Sequence, residues 1–156
     1  MPHRPIVYFM IGVPGSGKST LAKTLDGVTV SSDEIRKEYF GSADPSKCTD
    51  LLKRWVEQYP EAKTMSVNSF VFKVMNERTC KLLQEGNNVV YDATNTTVSY
   101  RKETVQKLRS KATVIACYMD TPLNVCLQRN RMRERVVPDQ VLYRMARYPV
   151  SYTHLR

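Results

Sequence analysis

Residues 12–19, Gly12-Val13-Pro14-Gly15-Ser16-Gly17-Lys18-Ser19, constrain this chain more than any other feature. They match the pattern G-x-x-x-x-G-K-[ST] at every fixed position. Ahead of them lies a six-residue apolar run, Ile6 to Ile11, of the kind that forms a buried parallel strand. A helix is expected from about Lys18 to Asp26. That context suits the chemistry: the glycines let backbone N–H groups turn inward toward phosphate oxygens, and the helix presents its positive N-terminal end. Lys18 can reach the β- and γ-phosphates, and the Ser19 hydroxyl can ligate Mg²⁺. Gly12, Pro14, Gly15, Ser16, Gly17, Lys18, Ser19 and Thr20 are therefore the expected nucleotide-binding residues, with ATP and Mg²⁺ as cofactors.

The rest of the chain alternates short apolar runs with amphipathic stretches. Strands are expected at Val28–Val30, Asn88–Tyr91 and Ala112–Met119. Ser32 is expected to cap a helix starting at Asp33. Further helices are expected at Thr49–Tyr59, stopped by Pro60, and at Val67–Glu85, with Val71, Val74, Met75 and Leu82 on one face. Two more are expected at Ser99–Ser110 and from Thr121, capping with Pro122 at the first position. Pro138 opens a last helix, Asp139–Arg147. Strand–helix alternation predicts an α/β fold with a parallel sheet of four strands, and a fifth is expected beyond them.

The 156 residues suffice for one domain with a sizeable core. Six residues are far too few to span a bilayer, and no cleavage site follows them. Cys48, Cys80, Cys117 and Cys126 contain no C-x-x-C pair, so zinc is not expected. Without an export signal they are expected to be reduced, mostly buried thiols in a cytoplasm. The formal net charge of +9 favours an anionic partner.

Ligands of an open parallel sheet sit at the carboxyl ends of its strands. Asp33, Asp92 and Asp120 are expected there. Asp92, after an apolar run, has the form of an acid that holds Mg²⁺. Ala93 follows it where hydrolytic motors usually carry Glu, which leans toward transfer to an acceptor. Asp33 and Arg36 form Asp-x-x-Arg, which on a helix puts both side chains on one face. The spacing is compatible with an intrahelical ion pair, or with a general base (Asp33) beside an acceptor-phosphate ligand (Arg36). Arg129, Arg131, Arg133 and Arg135 alternate, with Arg144 and Arg147 beyond. In a helix, 129/133 and 131/135 would be repelling i,i+4 pairs, a tension that an arriving anion would relieve. This stretch is expected to be a mobile lid. Trp55, beside Lys53 and Arg54, could stack a base, though a packed core position is the favoured reading. Arg78, on the apolar stripe of its helix, either snorkels or reaches the acceptor site.

Taken together, these residues resemble the phage-type 5′-hydroxyl polynucleotide kinase domain within the P-loop kinases. Gly12 to Ser19 matches its phosphate loop. Ser31-Ser32-Asp33-Glu34-Ile35-Arg36 matches the stretch with its general base. Val90-Tyr91-Asp92-Ala93-Thr94-Asn95 matches a strand end, Met119-Asp120-Thr121-Pro122 a turn, and Gln128 to Arg133 with Val137-Pro138 the lid. The resemblance implies a three-layer fold and a Mg²⁺-ATP phosphotransferase. It also implies a catalytic set of Asp33, Lys18, Arg133 and Arg36, with Arg129 and Arg133 on ATP and Ser19 and Asp92 on the metal. The implied acceptor is the 5′-hydroxyl of single-stranded or 5′-OH-ended DNA or RNA, with no membrane partner. A small-molecule hydroxyl and a regulatory ATPase without acceptor are the alternatives. The stretch from Phe40 to Val67, where this group builds its acceptor pocket, does not match. Residues 150–156 match translated sequencing-adaptor DNA, so the kinase domain is expected to occupy residues 1–149 and the biological chain to differ from there on.

Overall fold

The computed structural model describes residues 3–44, 57–58 and 66–147. Of the expected helix at Thr49–Tyr59 only residues 57–58 are described, and they are helical; the rest of it, with Trp55, and the adaptor-like tail lie outside the described residues. Four strands form one parallel sheet in the order β2–β3–β1–β4: β1 Ile6–Ile11, β2 Val28–Ser31, β3 Val89–Asp92 and β4 Thr113–Tyr118. The helices are α1 Lys18–Ala22, α2 Ser32–Phe40, α3 Val67–Gln84, α4 Val98–Arg109, α5 Leu123–Arg131 and α6 Asp139–Ala146.

Burial follows strand position. All four residues of central β3 are buried, and β1 is buried from Phe9 onward. Both are continuous apolar runs because helices cover both of their faces. Edge strands β2 and β4 are half exposed. One face packs Phe9, Ile11 and Tyr91 against α2, α3 and α4 through Ile35, Phe70, Val74, Met75 and Leu108. Phe9 stacks on Tyr91 with centroids 5.2 Å apart; truncating Phe9 to Ala would cost about 3–5 kcal/mol. The opposite face packs Met10 and Val90 against Ala22, Leu21 and Leu25 around α1. The architecture is thus three-layered, and a separate small core of Cys126, Leu127, Val137 and Leu142 joins α5 to α6.

The register aligns the chemistry. Ser31 pairs with Asp92, and Ile11 with Tyr118, so the strands finish at one level. Every loop that follows starts from the same edge.

Several boundaries differ from expectation. Helix α1 stops at Ala22, where turns replace its last expected residues before Gly27. Ser31, not Ser32, caps α2: its hydroxyl accepts from the Glu34 N–H at 3.4 Å, which leaves Ser32 inside the helix and buried. Asp33 and Glu34 then occupy the first turn, where the helix dipole favours acids. Thr121 does not cap α5; its hydroxyl donates to the Ser16 carbonyl at 2.8 Å, tying the phosphate loop to the start of the lid. On α3 the fully engaged residue is Leu83, and Leu82 flanks the core. Of the three described cysteines only Cys126 is buried. Cys117 is half-buried because it lies on edge strand β4.

Candidate active site

The loop Gly12–Gly17 leaves β1 and enters α1 with its shape set from three sides. The Gly12 N–H donates to the Thr94 carbonyl at 3.0 Å, anchoring the loop to the end of β3. Gly15 has φ +81°, and a Cβ there would lie 2.4 Å from the Cys126 carbonyl oxygen. Only glycine allows that contact. It seats the loop directly on α5. The Ser16 hydroxyl is buried inside the loop without a hydrogen-bond partner.

Lys18 folds back over the loop, with Nζ 3.4 Å from the Val13 carbonyl. Burial pushes its ammonium below the ordinary lysine range, opposed by the nearby Asp92 carboxylate. Asp92 responds oppositely. Burial pushes its carboxyl up, with Lys18 pulling it back down. The Ser19 hydroxyl stands 3.4 Å from Asp92 Oδ2. A hydroxyl and a carboxylate converging beside a phosphate loop are the oxygen donors that Mg²⁺ takes, so the pair fits the expected metal site. Thr20 is exposed on α1, one residue past Ser19, and does not line the cleft.

Across the cleft, Asp33 meets three guanidinium groups. Arg36 on its own helix lies 3.2 Å away, and Arg135 and Arg133 reach it at 2.7 and 3.5 Å. Arg36 is in turn held by Asn68 Oδ1 at 2.7 Å, from the first turn of α3. The Asp33–Arg36 ion pair therefore exists, but as part of a cluster that spans three segments. Arg133 also lies close enough to Lys18 and Asp92 to affect both electrostatically. Asp33, Lys18, Ser19, Asp92, Arg36 and Arg133 all line one open cleft of about 1330 Å³. That exceeds the space a single drug-sized ligand needs and leaves room for two substrates.

The lid explains how those arginines arrive. Helix α5 ends at Arg131, so Arg133 and Arg135 are not helical and the expected i,i+4 repulsion does not arise. Buried Asn130 pins the return: its Nδ2 donates to the Val137 carbonyl at 2.6 Å, and its Oδ1 accepts from the Val137 N–H at 3.1 Å. Between these two ends, Arg133 and Arg135 face Asp33, exposed Glu134 reaches Lys37 of α2 at 3.9 Å, and Met132 is exposed. Arg129 stays on the helix beside the phosphate loop; a methyl group on Gly17 would lie 3.7 Å from its guanidinium. Arg131 turns away and pairs with Asp139 at 2.8 Å.

Other expected positions are not in the cleft. Asp120 is exposed and lies outside it. Arg78 neither snorkels nor reaches the acceptor side; it forms a two-point bond to Glu38 at 2.8 Å and sits over the Tyr39 ring, tying α3 to α2. The roles of Asn68 and Asn130 carried no sequence signal, because a single polar residue in a helix or turn has no pattern until its partner is known. Buried Asn95 is a milder miss. It adopts φ +50° and donates to the Met10 carbonyl at 2.6 Å, joining β1 to the loop after β3.

Comparison with known proteins bears on the family and the fold. The AAA domain family profile matches residues 7–149. A protein of Autographa californica nuclear polyhedrosis virus, which carries the name of a bifunctional polynucleotide kinase/RNA ligase, is 28% identical over 141 residues. The match covers 88% of this chain and 20% of that protein, so the chain spans about one fifth of its relative. The Pnkp1/Rnl/Hen1 RNA repair complex contains a chain that superposes with a TM-score of 0.71 at 21% identity, covering 99% of this chain and 45% of that one. A kinase from Chloroflexus aurantiacus superposes with a TM-score of 0.58 at 20% identity, covering 84% and 66%. At those identities the two structures establish the fold. No helix among the described residues is long and apolar enough to cross a membrane. With the phosphate loop, the parallel sheet and the family match in place, the chain belongs to the AAA domain family as a kinase-like P-loop enzyme domain.

Proposed function

We propose that this domain transfers the γ-phosphate of Mg²⁺-ATP to a hydroxyl acceptor, and that the acceptor is the 5′-OH of DNA or RNA. The observation that carries this reading is the position of Asp33. Its carboxylate faces the phosphate-loop side of the same cleft, and two lid arginines converge on it. A hydrolytic enzyme needs a group beside the metal-binding acid to activate water; Ala93 there is buried and inert. A transferase needs a base on the far side of the γ-phosphate, and a carboxylate that lines the same cleft as Lys18 and Asp92 supports Asp33 in that role.

Mg²⁺-ATP, when bound, supplies the transferable phosphoryl group together with the metal's charge. Ser19 and Asp92 hold the metal. Lys18 and Arg133 place positive charge where the transferring group becomes more anionic. Asp33 accepts the proton of the attacking hydroxyl. Arg36, fixed by Asn68, binds an acceptor phosphate. The relative's name and the net charge of +9 support a polyanionic acceptor.

Transfer of labelled γ-phosphate from ATP to a 5′-OH oligonucleotide tests the reading, at low and at moderate salt. Labelled oligonucleotide, with a KM that rises with salt, is the expected result. Labelling of nucleosides or sugars instead, with no salt dependence, would move the acceptor to the small-molecule class.

A further inference from the structure

The cleft does not end at Asp33. Besides Arg36 and Asn68 it is lined by an aromatic pair, Phe72 of α3 and Tyr100 of α4. Their rings are stacked, with centroids 6.2 Å apart and planes inclined by 18°. Both residues line the same cleft as Asp33 and Lys18. Phe72 is partly buried against the main core. Tyr100 is 55% exposed although it belongs to the cleft wall. One ring is therefore anchored, and the other is supported by it while most of its surface stays open. Exposure alone would not single Tyr100 out, since Tyr143 is as exposed; a ring held flat by a second ring inside a cleft is a preformed stacking surface with little rotamer freedom left to lose.

Its position relates it to the acceptor. Arg36 Nη2 bonds Asn68 at 2.7 Å. Phe72 lies one helical turn beyond Asn68 on the same face of α3, about 6 Å along. Asp33, Arg36, Asn68, Phe72 and Tyr100 thus line one cleft, with the aromatic pair one helical turn from the residue that holds Arg36. Thr96, Thr97 and Thr104 line the cleft beside Tyr100 and offer hydroxyls but no charge. A π-faced, uncharged group suits this end, while the arginines at the other end suit phosphate.

We infer that Tyr100, supported by Phe72, is the platform on which the 5′-terminal base of the acceptor stacks, and that it sets the affinity for nucleic-acid acceptors over acceptors without a base. The inference rests on the proposed transfer to a 5′-OH and names the part of the cleft that recognises that acceptor. Stacking reads every base, because each has a π-face, so it predicts little sequence preference at the first position.

The test pairs Tyr100→Ala, Tyr100→Phe and the unaltered chain with two acceptors. One is a 5′-OH trinucleotide with a normal first base; the other has an abasic first residue. Transfer kinetics give KM and kcat, and fluorescence anisotropy of the same trinucleotides, labelled at the 3′ end, gives Kd without any chemistry. Loss of the stack should raise acceptor KM and Kd by about fivefold or more for the normal trinucleotide. Tyr100→Phe should restore both, since the ring rather than the hydroxyl is used. With the abasic acceptor the unaltered chain should already bind weakly, and Tyr100→Ala should add nothing. Equal Kd for the normal and abasic acceptors, or a Tyr100→Ala Kd unchanged on the normal one, would overturn the platform. Base-dependent binding without transfer would leave the platform standing and overturn the proposed reaction instead.

Discussion

The two ends of the cleft are built by different means. The phosphate end is made of backbone: loop N–H groups, Gly15 pressed on the Cys126 carbonyl, and Gly12 bonded to Thr94. Its few side chains, Lys18, Ser19 and Asp92, lie within or opposite one short loop. The end proposed to take the acceptor is made of side chains from four segments: Asp33 and Arg36 from α2, Asn68 and Phe72 from α3, Tyr100 from α4, and Arg133 and Arg135 from the lid. A backbone-built site is rigid and generic. A side chain-built site can change with single substitutions, which is where substrate choice belongs.

The comparison can be sharpened by separating the two lid arginines. Arg133 lies near Lys18 as well as Asp33, whereas Arg135 bonds Asp33 at 2.7 Å. Arg133→Ala should lower kcat by about 10³-fold or more, the scale of an arginine that neutralises a transferring phosphoryl group. Arg135→Ala should fall mainly on the acceptor KM. Steady-state kinetics with each substrate varied in turn would check both. Equal effects of the two substitutions on ATP and acceptor parameters would erase the distinction between the ends.

Gly15→Ala attacks the backbone-built end. Its positive φ and the 2.4 Å approach to the Cys126 carbonyl together should cost about 2–5 kcal/mol. Thermal unfolding should show a drop of about 2–4 °C for each kcal/mol. An unchanged Tm would mean that the loop is not seated on α5 as described.

A smaller effect concerns pH. Burial raises the Asp92 carboxyl above its ordinary 3.8, so the folded state holds that proton more tightly than the unfolded chain. The ionised form is a burden at neutral pH, relieved as pH falls through the folded value toward 3.8. Mg²⁺-ATP should relieve the same burden by supplying a cation. The rise in Tm on adding Mg²⁺-ATP should therefore shrink as pH is lowered from 7. A gain independent of pH would separate Asp92 from the metal site.

How legible each end was in the sequence follows from the same contrast. The phosphate loop, the alternation of strands and helices and the carboxyl-end position of Asp92 could all be read in advance, because each is a local pattern with a fixed period or spacing. Asp33 and Arg36 were legible as a helical pair. Their partners were not. Asn68 meets Arg36 across 32 positions and Arg135 meets Asp33 across 102. No spacing encodes such distances. The lid arginines were visible as a run, but where the helix ends among them was not; it stops at Arg131, and Asn130 bonds Val137 across the return. Thr121 was misread for a similar reason: a threonine before a proline is an ordinary cap until the Ser16 carbonyl is found 2.8 Å away.

The central claim is that Asp33 is the base for transfer to a hydroxyl, and Asp33→Asn tests it most directly. The substitution keeps the side chain's size and removes its ability to take a proton. Transfer from ATP to a 5′-OH oligonucleotide should fall by about 10²–10⁴-fold, while the Kd for ATP, measured on the same preparation, should stay within a few-fold of the unaltered chain. Transfer at the unaltered rate would contradict the assignment and leave the acidic, arginine-ringed position with a structural role alone.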